Sequence, residues 1–183
     1  MNDLSLHIDL DGTLINTSHA LVASYHEAVT HFGGTFTEET EISIRSGEPY
    51  EVFLRGCFES LGDQDLEKLH AQKRRSYASH FPITELNHEL LCLLLDHDAS
   101  RSIVTNASKS TTIELLKYHD VYKYFNELVA REDVSSPKPN PEPYLLSMKK
   151  NPALIHVAFE DTEIGVNSAF AAGCIVFKVN ELD

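Results

Sequence analysis

The sequence predicts an α/β fold, in which a parallel sheet carries helices on both faces and a helical insertion follows the first strand. Three observations carry this. From about residue 100 onward, short β-branched runs alternate with helical segments across short connections, the pattern of parallel strands joined by crossover helices. A separate apolar run, Leu4 to Ile8, opens the chain and ends at an acidic turn. Between that run and the next strand lies a stretch longer than one crossover needs, with helical spacing and little β-branched alternation.

Taken in order, Leu4 to Ile8 is the first strand, turning at Asp11-Gly12-Thr13. Thr17 or Ser18 caps a helix running to about Phe32, which Gly33-Gly34 ends. Residues 37–81 are mostly helical, with Phe53, Leu54 and Phe58, then Leu66, Leu69 and Tyr77, at helical spacing, and Pro82 closes the segment. Glu85 to Asp96 is a leucine-rich helix. Strands are expected at Arg101 to Thr105, Glu127 to Ala130, Leu154 to Phe159 and Cys174 to Val179. The helices between them are Lys109 to Tyr118, Pro141 to Lys150 with prolines in its first turn, and Glu163 to Ala172, broken at Gly173. The implied organisation is a core domain of residues 1–16 and 83–183, with a helical cap of residues 17–82.

Bulk composition sets limits on function. Hydrophobic residues make up 42% and charged residues 23%, enough apolar material for a buried core. The formal net charge of −13 disfavours nucleic-acid binding and adhesion to anionic membranes, both of which need a basic face. It also repels anionic ligands at long range, so a phosphate site must bring its own positive charge. Cys57, Cys92 and Cys174 are scattered and odd in number, which fits reduced thiols. The N-terminus has neither a basic run nor a long apolar stretch, and the longest apolar run, Leu90 to Leu95, is too short to span a bilayer. A cytoplasmic protein, monomeric or weakly dimeric, is the expectation.

Ligands of open parallel sheets bind beyond the carboxyl ends of the strands, and four segments put reactive groups there. In Asp9-Leu10-Asp11-Gly12-Thr13, residues i and i+2 of extended chain point the same way, so Asp9 and Asp11 face one pocket. Two such carboxylates repel and need a cation or a proton between them. Thr105 and Asn106 follow the second strand and offer short donors for a phosphoryl oxygen, or else a helix-capping turn. Lys138 stands between Pro137 and Pro139, which stiffen the backbone under a long cationic side chain. Glu160 and Asp161 end a buried strand and supply hard oxygen ligands suited to Mg²⁺, or else an acidic helix start. Asp9, Asp11, Glu160 and Asp161 together with Lys138 carry a net charge of minus three. Such a site holds a phosphate dianion only with a divalent cation, and a proton on Asp11 then brings it to neutrality.

DLDGTL (Asp9 to Leu14), VTNAS (Val104 to Ser108), KPNPEPY (Lys138 to Tyr144) and FEDTEIGVNSAFAAGC (Phe159 to Cys174) occur in that order over almost the whole chain. On these motifs the sequence resembles the haloacid dehalogenase-like hydrolases, in the branch of β-phosphoglucomutase and phosphoglycolate phosphatase. The resemblance implies a Rossmann-like three-layer core with a helical cap and Mg²⁺-dependent hydrolysis of a small phosphorylated metabolite. It implies Asp9 as the nucleophile that forms an aspartyl-phosphate and Asp11 as general acid and base. It further implies Thr105, Asn106 and Lys138 at the phosphate, with Lys138 also steadying Asp9. Asp9, Asp11 (through its carbonyl), Glu160 and Asp161 are implied at the metal. Asp11 must then begin protonated, and its neighbour Asp9 is expected to favour that. The presence of Asp11 argues against a dehalogenase. Ile8 and Asn16 depart from the residues frequent at those places, and Asp183 follows soon after the last expected strand, where many relatives continue. None of these removes a catalytic group.

Alternatives stay open at this point. A phosphomutase of the β-phosphoglucomutase type uses the same groups, a phosphoacceptor signalling domain shares the acids, hydroxyl and lysine, and a non-catalytic binding domain needs none of the chemistry. Among the weaker signals, the ten histidines form no metal-ligand spacing and read as surface or helix residues, except that His7, in the first strand, could sit buried. Arg45, beside Gly47 in a turn, is a candidate for recognising a second anionic group of the substrate.

Overall fold

The computed structural model describes residues 3–180; Met1, Asn2 and residues 181–183, the outer ends of the expected core domain, lie outside them. The chain divides into two compact units, one formed by residues 1–16 and 85–183 and the other by Thr17–Thr84.

The first unit is built on a five-stranded parallel sheet. Its strands are β1 (Leu4–Ile8), β4 (Ser100–Val104), β5 (Glu127–Val129), β6 (Ile155–Glu160) and β7 (Ile175–Lys178), in the order β5-β4-β1-β6-β7. Its helices are α5 (His88–Leu95), α6 (Lys109–Tyr118), α7 (Glu142–Lys150) and α8 (Glu163–Ala171). Strand order runs outward from β1 to β5 and then reverses to β6 and β7. Right-handed crossovers therefore place α5 and α6 on one face and α7 and α8 on the other. On the second face, Tyr144 of α7 and Ala169 of α8 pack with Val104, Val129 and Ala158 of the strands. β1 alternates accordingly: Leu6 and Ile8 are buried on one face, while His7 turns to the other and bonds Ser147 of α7 at 2.8 Å. Burial, with the neighbouring His156, holds the His7 imidazole neutral, its pKa lowered to about 3.

Two elements escape a reading by periodicity. β2 (Ile15–Asn16) and β3 (Glu85–Leu86) form a two-residue antiparallel ribbon where the helical unit leaves and rejoins the first unit. The sequence places a helix from Glu85, but Glu85 and Leu86 are engaged with Asn16 and Ile15, so that helix begins only at His88. Asn87 makes the turn between them. Its side-chain oxygen accepts from the Leu90 N–H at 3.0 Å, and its Nδ2 donates to the Thr13 carbonyl at 3.1 Å. One residue thus caps α5 and ties it to the loop after β1.

The second unit contains α1 (Ser18–His31), α2 (Glu38–Arg45), α3 (Tyr50–Gly56), α4 (Asp63–Ser76) and a 3₁₀ segment, Tyr77–Ile83, that includes Pro82. Ala28, Val29, Phe53, Leu54, Leu66 and Leu69 form its own core, and Thr37 opens α2 with a capping box closed by Thr40.

Asn87→Ala removes a cap and a bond to the Thr13 carbonyl together, and is expected to cost about 1–3 kcal/mol in urea unfolding. A loss within experimental error would mean that neither bond contributes.

Candidate active site

The β1 strand runs straight into the site. Asp9 follows Ile8 directly, and its N–H donates to the Phe159 carbonyl at 3.0 Å, continuing the pairing with β6. The chain then turns tightly, with Leu14 and Ile15 N–H groups donating to the Leu10 carbonyl and Gly12 N–H to Ile15 at 2.8 Å. Gly12 sits at φ +84°, and a Cβ there would lie 2.1 Å from Asp161 Oδ2. Glycine is needed twice over, for the backbone angle and for the space Asp161 takes.

Lys138 reaches the site from the loop before α7. Its Nζ donates to Asp9 Oδ1 and to Glu160 Oε1, both at 2.5 Å, and all three residues are buried. Burial alone would lower the lysine pKa, but the two carboxylates raise it well above its ordinary value, so the ammonium stays charged. The loop that delivers Lys138 is itself fixed. The Glu142 carboxylate accepts from the N–H groups of Ser135 and Ser136, at 2.9 and 2.8 Å, and the Ser168 hydroxyl donates to the Asn140 carbonyl.

Asp9, Glu160 and Asp161 each offer a carboxylate oxygen within 4.8 Å of the others. Thr13 donates to Asp161 Oδ1 at 3.1 Å, and Tyr144 donates its hydroxyl to Glu160 Oε1. Glu160 Oε2 is buried without a hydrogen-bond partner. It fits only because Gly165 has no side chain, since a Cβ there would lie 1.8 Å away. Burial and then Asp9 raise the Asp161 pKa to about 6, and burial raises that of Glu160 against the pull of Lys138.

Of the residues expected from sequence, Asp9, Lys138, Glu160 and Asp161 meet directly, and the Asp11 carboxylate is not among the three gathered ones. Asp11 instead lies beside Thr105, whose hydroxyl is 3.5 Å from Asp11 Oδ2, the outer limit of a hydrogen bond. Thr105 also accepts from the Ala107 N–H at 3.0 Å. The Asn106 side chain is engaged by the Lys138 backbone: its Oδ1 accepts from the Lys138 N–H at 3.0 Å and its Nδ2 donates to the Lys138 carbonyl at 3.2 Å. It brackets the lysine backbone. Arg45 belongs to the helical unit, where its guanidinium pairs with Glu41 at 2.8 Å and donates to the Ser18 hydroxyl. Sequence reasoning missed Thr13 and Tyr144. Both stand inside quoted motifs, two residues beyond Asp11 and six beyond Lys138, and that was the available signal.

A family model for haloacid dehalogenase-like hydrolases matches residues 8–179. The chain belongs to the haloacid dehalogenase-like hydrolases. This hydrolase is 27% identical over 172 residues to the phosphorylated carbohydrates phosphatase of Thermotoga maritima, covering 90% of this chain and 79% of that one. It is 31% identical over 140 residues to the pyrophosphatase PpaX of Halalkalibacterium halodurans, covering 74% of this chain and 63% of the relative. Among solved structures, CbbY of Rhodobacter sphaeroides, in complex with phosphate, superposes with a TM-score of 0.83 at 20% identity, over 100% of this chain and 88% of that one. That likeness shows the Rossmann-like fold. Among the described residues no helix is long and apolar enough to cross a membrane.

Two outcomes follow for this hydrolase. Gly165→Ala should stabilise a free helix by about 1 kcal/mol; here it is expected to destabilise the protein by about 1–3 kcal/mol, because the new methyl meets Glu160. Thermal melts of the variant decide it, and unchanged stability would mean that Glu160 can move aside. The second concerns pH. The Asp161 pKa rises from 3.8 unfolded to about 6 folded, so its stabilising contribution is complete below about pH 4 and is lost as pH rises through 6. The melting temperature of EDTA-treated protein should therefore fall between about pH 4 and 6, with a shallower fall in Asp161→Asn. Equal slopes would show that Asp161 is not the group responsible.

Proposed function

We propose that this hydrolase is a Mg²⁺-dependent phosphatase that cleaves the phosphomonoester of a small metabolite through an aspartyl-phosphate on Asp9. One observation carries the reading: a buried carboxylate at the end of the central strand, held by a buried ammonium, with a second carboxylate two residues on. The residues also fit a divalent cation. Three carboxylates converge, hard oxygen donors suit Mg²⁺, and a buried Glu160 oxygen lacks any partner. Asp9, Glu160 and Asp161 would hold the ion. When bound, Mg²⁺ supplies positive charge opposite the phosphoryl oxygens.

The chain's own groups account for the rest. An Asp9 oxygen attacks phosphorus in line with the ester oxygen, and the P–O ester bond breaks as the Asp9–phosphorus bond forms. The departing alkoxide takes the proton of Asp11, which leaves as part of the alcohol. Asp11, now ionised, takes a proton from water as that water attacks the same phosphorus. Inorganic phosphate departs and Asp9 is restored. In this reading Lys138 neutralises charge beside Asp9 throughout, and the Thr105 hydroxyl donates to a phosphoryl oxygen. In this reading the helical unit Thr17–Thr84 is the cap, the element in which selectivity among phosphorylated metabolites resides.

The named relatives suggest where to look for substrate: phosphorylated carbohydrates and pyrophosphate. The test is release of inorganic phosphate from a panel of sugar phosphates, phosphoglycolate, nucleotides and pyrophosphate, with Mg²⁺ or with EDTA. Turnover should require Mg²⁺, and Asp9→Asn should lose at least about a thousandfold in kcat. Asp11→Asn should lose about 10²–10⁴-fold on alkyl phosphates, where the leaving group needs a proton, and much less on p-nitrophenyl phosphate. A folded, Mg²⁺-loaded protein that turns over nothing, or an Asp9→Asn variant as active as the parent, would sink the proposal.

A further inference from the structure

Tyr144 is fully buried, the bulkiest side chain among the described residues to be so, and it takes a hydroxyl in with it. A phenylalanine would fill the same space among Val104, Val129, Ala158 and Ala169 without burying a polar atom. The hydroxyl donates to Glu160 Oε1, the oxygen that also receives Lys138 Nζ at 2.5 Å. The face of the same ring lies 5.3 Å from that ammonium. Tyr144 thus touches both groups on which the position of Asp9 depends, yet it is not one of the acids that gather there.

A carboxylate with one oxygen bonded only to a lysine can rotate about its last bond, because an ammonium imposes no plane. A second donor on the same oxygen, coming from a rigid ring, removes that freedom. Glu160 Oε1 is occupied twice, and Oε2 is directed into the space beside Gly165, buried and without a partner. Were the carboxylate to turn, Lys138 would follow whichever oxygen it held, and its bond to Asp9 Oδ1 would lengthen.

We infer that Tyr144 is a positioning residue that locks the Glu160 carboxylate, and through it sets both the metal-binding geometry and the Lys138–Asp9 contact. The inference rests on the reading of Asp9, Glu160 and Asp161 as the metal site. Partners of metal ligands typically alter metal affinity or activity by about 10–100-fold when removed, and Tyr144→Phe removes one oxygen and nothing else.

The experiment is calorimetric titration of EDTA-stripped protein with Mn²⁺, run for the parent, Tyr144→Phe, Glu160→Gln and the double variant, alongside steady-state turnover. Tyr144→Phe should bind Mn²⁺ about tenfold more weakly, and kcat should fall with KM little changed. Because Tyr144 acts through Glu160, the double variant should bind no more weakly than Glu160→Gln alone. A core-filling role predicts the opposite pattern: Tyr144→Phe keeps the ring, so melting temperature, metal affinity and kcat all stay at the parent's values. That pattern overturns the inference, as does a double variant in which the two losses multiply, or a Tyr144→Phe protein that fails to fold. A parent protein that binds no Mn²⁺ overturns the reading of the metal site and this inference with it. A parent that binds and turns over while Tyr144→Phe matches it overturns only the role of Tyr144.

Discussion

The contact between Lys138 and the paired carboxylates of Asp9 and Glu160 is the interaction on which the rest of the site depends, because none of the three tolerates burial alone. Isolated ions taken out of water cost several kcal/mol each even after relaxation, and only short, well-formed pairing compensates. Here one ammonium lies 2.5 Å from an oxygen of each acid. Lys138 is 129 residues from Asp9 along the chain, so the pairing exists only once β1, β6 and the loop before α7 have met. The bonds of Glu142 to two backbone N–H groups and of Asn106 to both sides of the Lys138 backbone serve that end: they fix where the lysine starts.

The parallel sheet answers a second constraint, which is to bring like charges together without expelling them. β1 is central and β6 lies beside it, so their carboxyl ends deliver Asp9, Glu160 and Asp161 to one place. Two glycines make room. Asp161 occupies the space a side chain at Gly12 would need, and Glu160 the space one at Gly165 would need. Burial first, and then repulsion from Asp9, raises the pKa values of Glu160 and Asp161. A cation bound among these carboxylates would offset that cost, which is the basis of the proposed metal site.

Much of this was legible in the sequence because the signals are local. β-branched runs separated by capped helices give the sheet and its crossovers, and Asp-x-Asp-Gly at the end of a strand gives Asp9 and Asp11. What was not legible is what depends on distant partners or on very short elements. β2 and β3 have two residues each, too few to show alternation, so Glu85 and Leu86 read as helix. Asn106 carries groups able to bind phosphate, and only the fold reveals that they meet the Lys138 backbone 32 residues away. Tyr144 closes the KPNPEPY run, but nothing in its sequence neighbours announces that its hydroxyl meets Glu160.

The small ribbon of β2 and β3 has a consequence for how the molecule is assembled. It pairs Ile15 with Leu86 and Asn16 with Glu85, so everything from Thr17 to Thr84 begins and ends at one doorway. To the sheet, that segment is a closed loop, and the entropy of closing a loop grows only with the logarithm of its length, by about 0.6 kcal/mol for each doubling. The ribbon thereby uncouples the stability of the chemical core from the size of what is inserted in it. Lengthening, shortening or exchanging the helices between residues 17 and 84 leaves β1 and its neighbours almost the same folding problem.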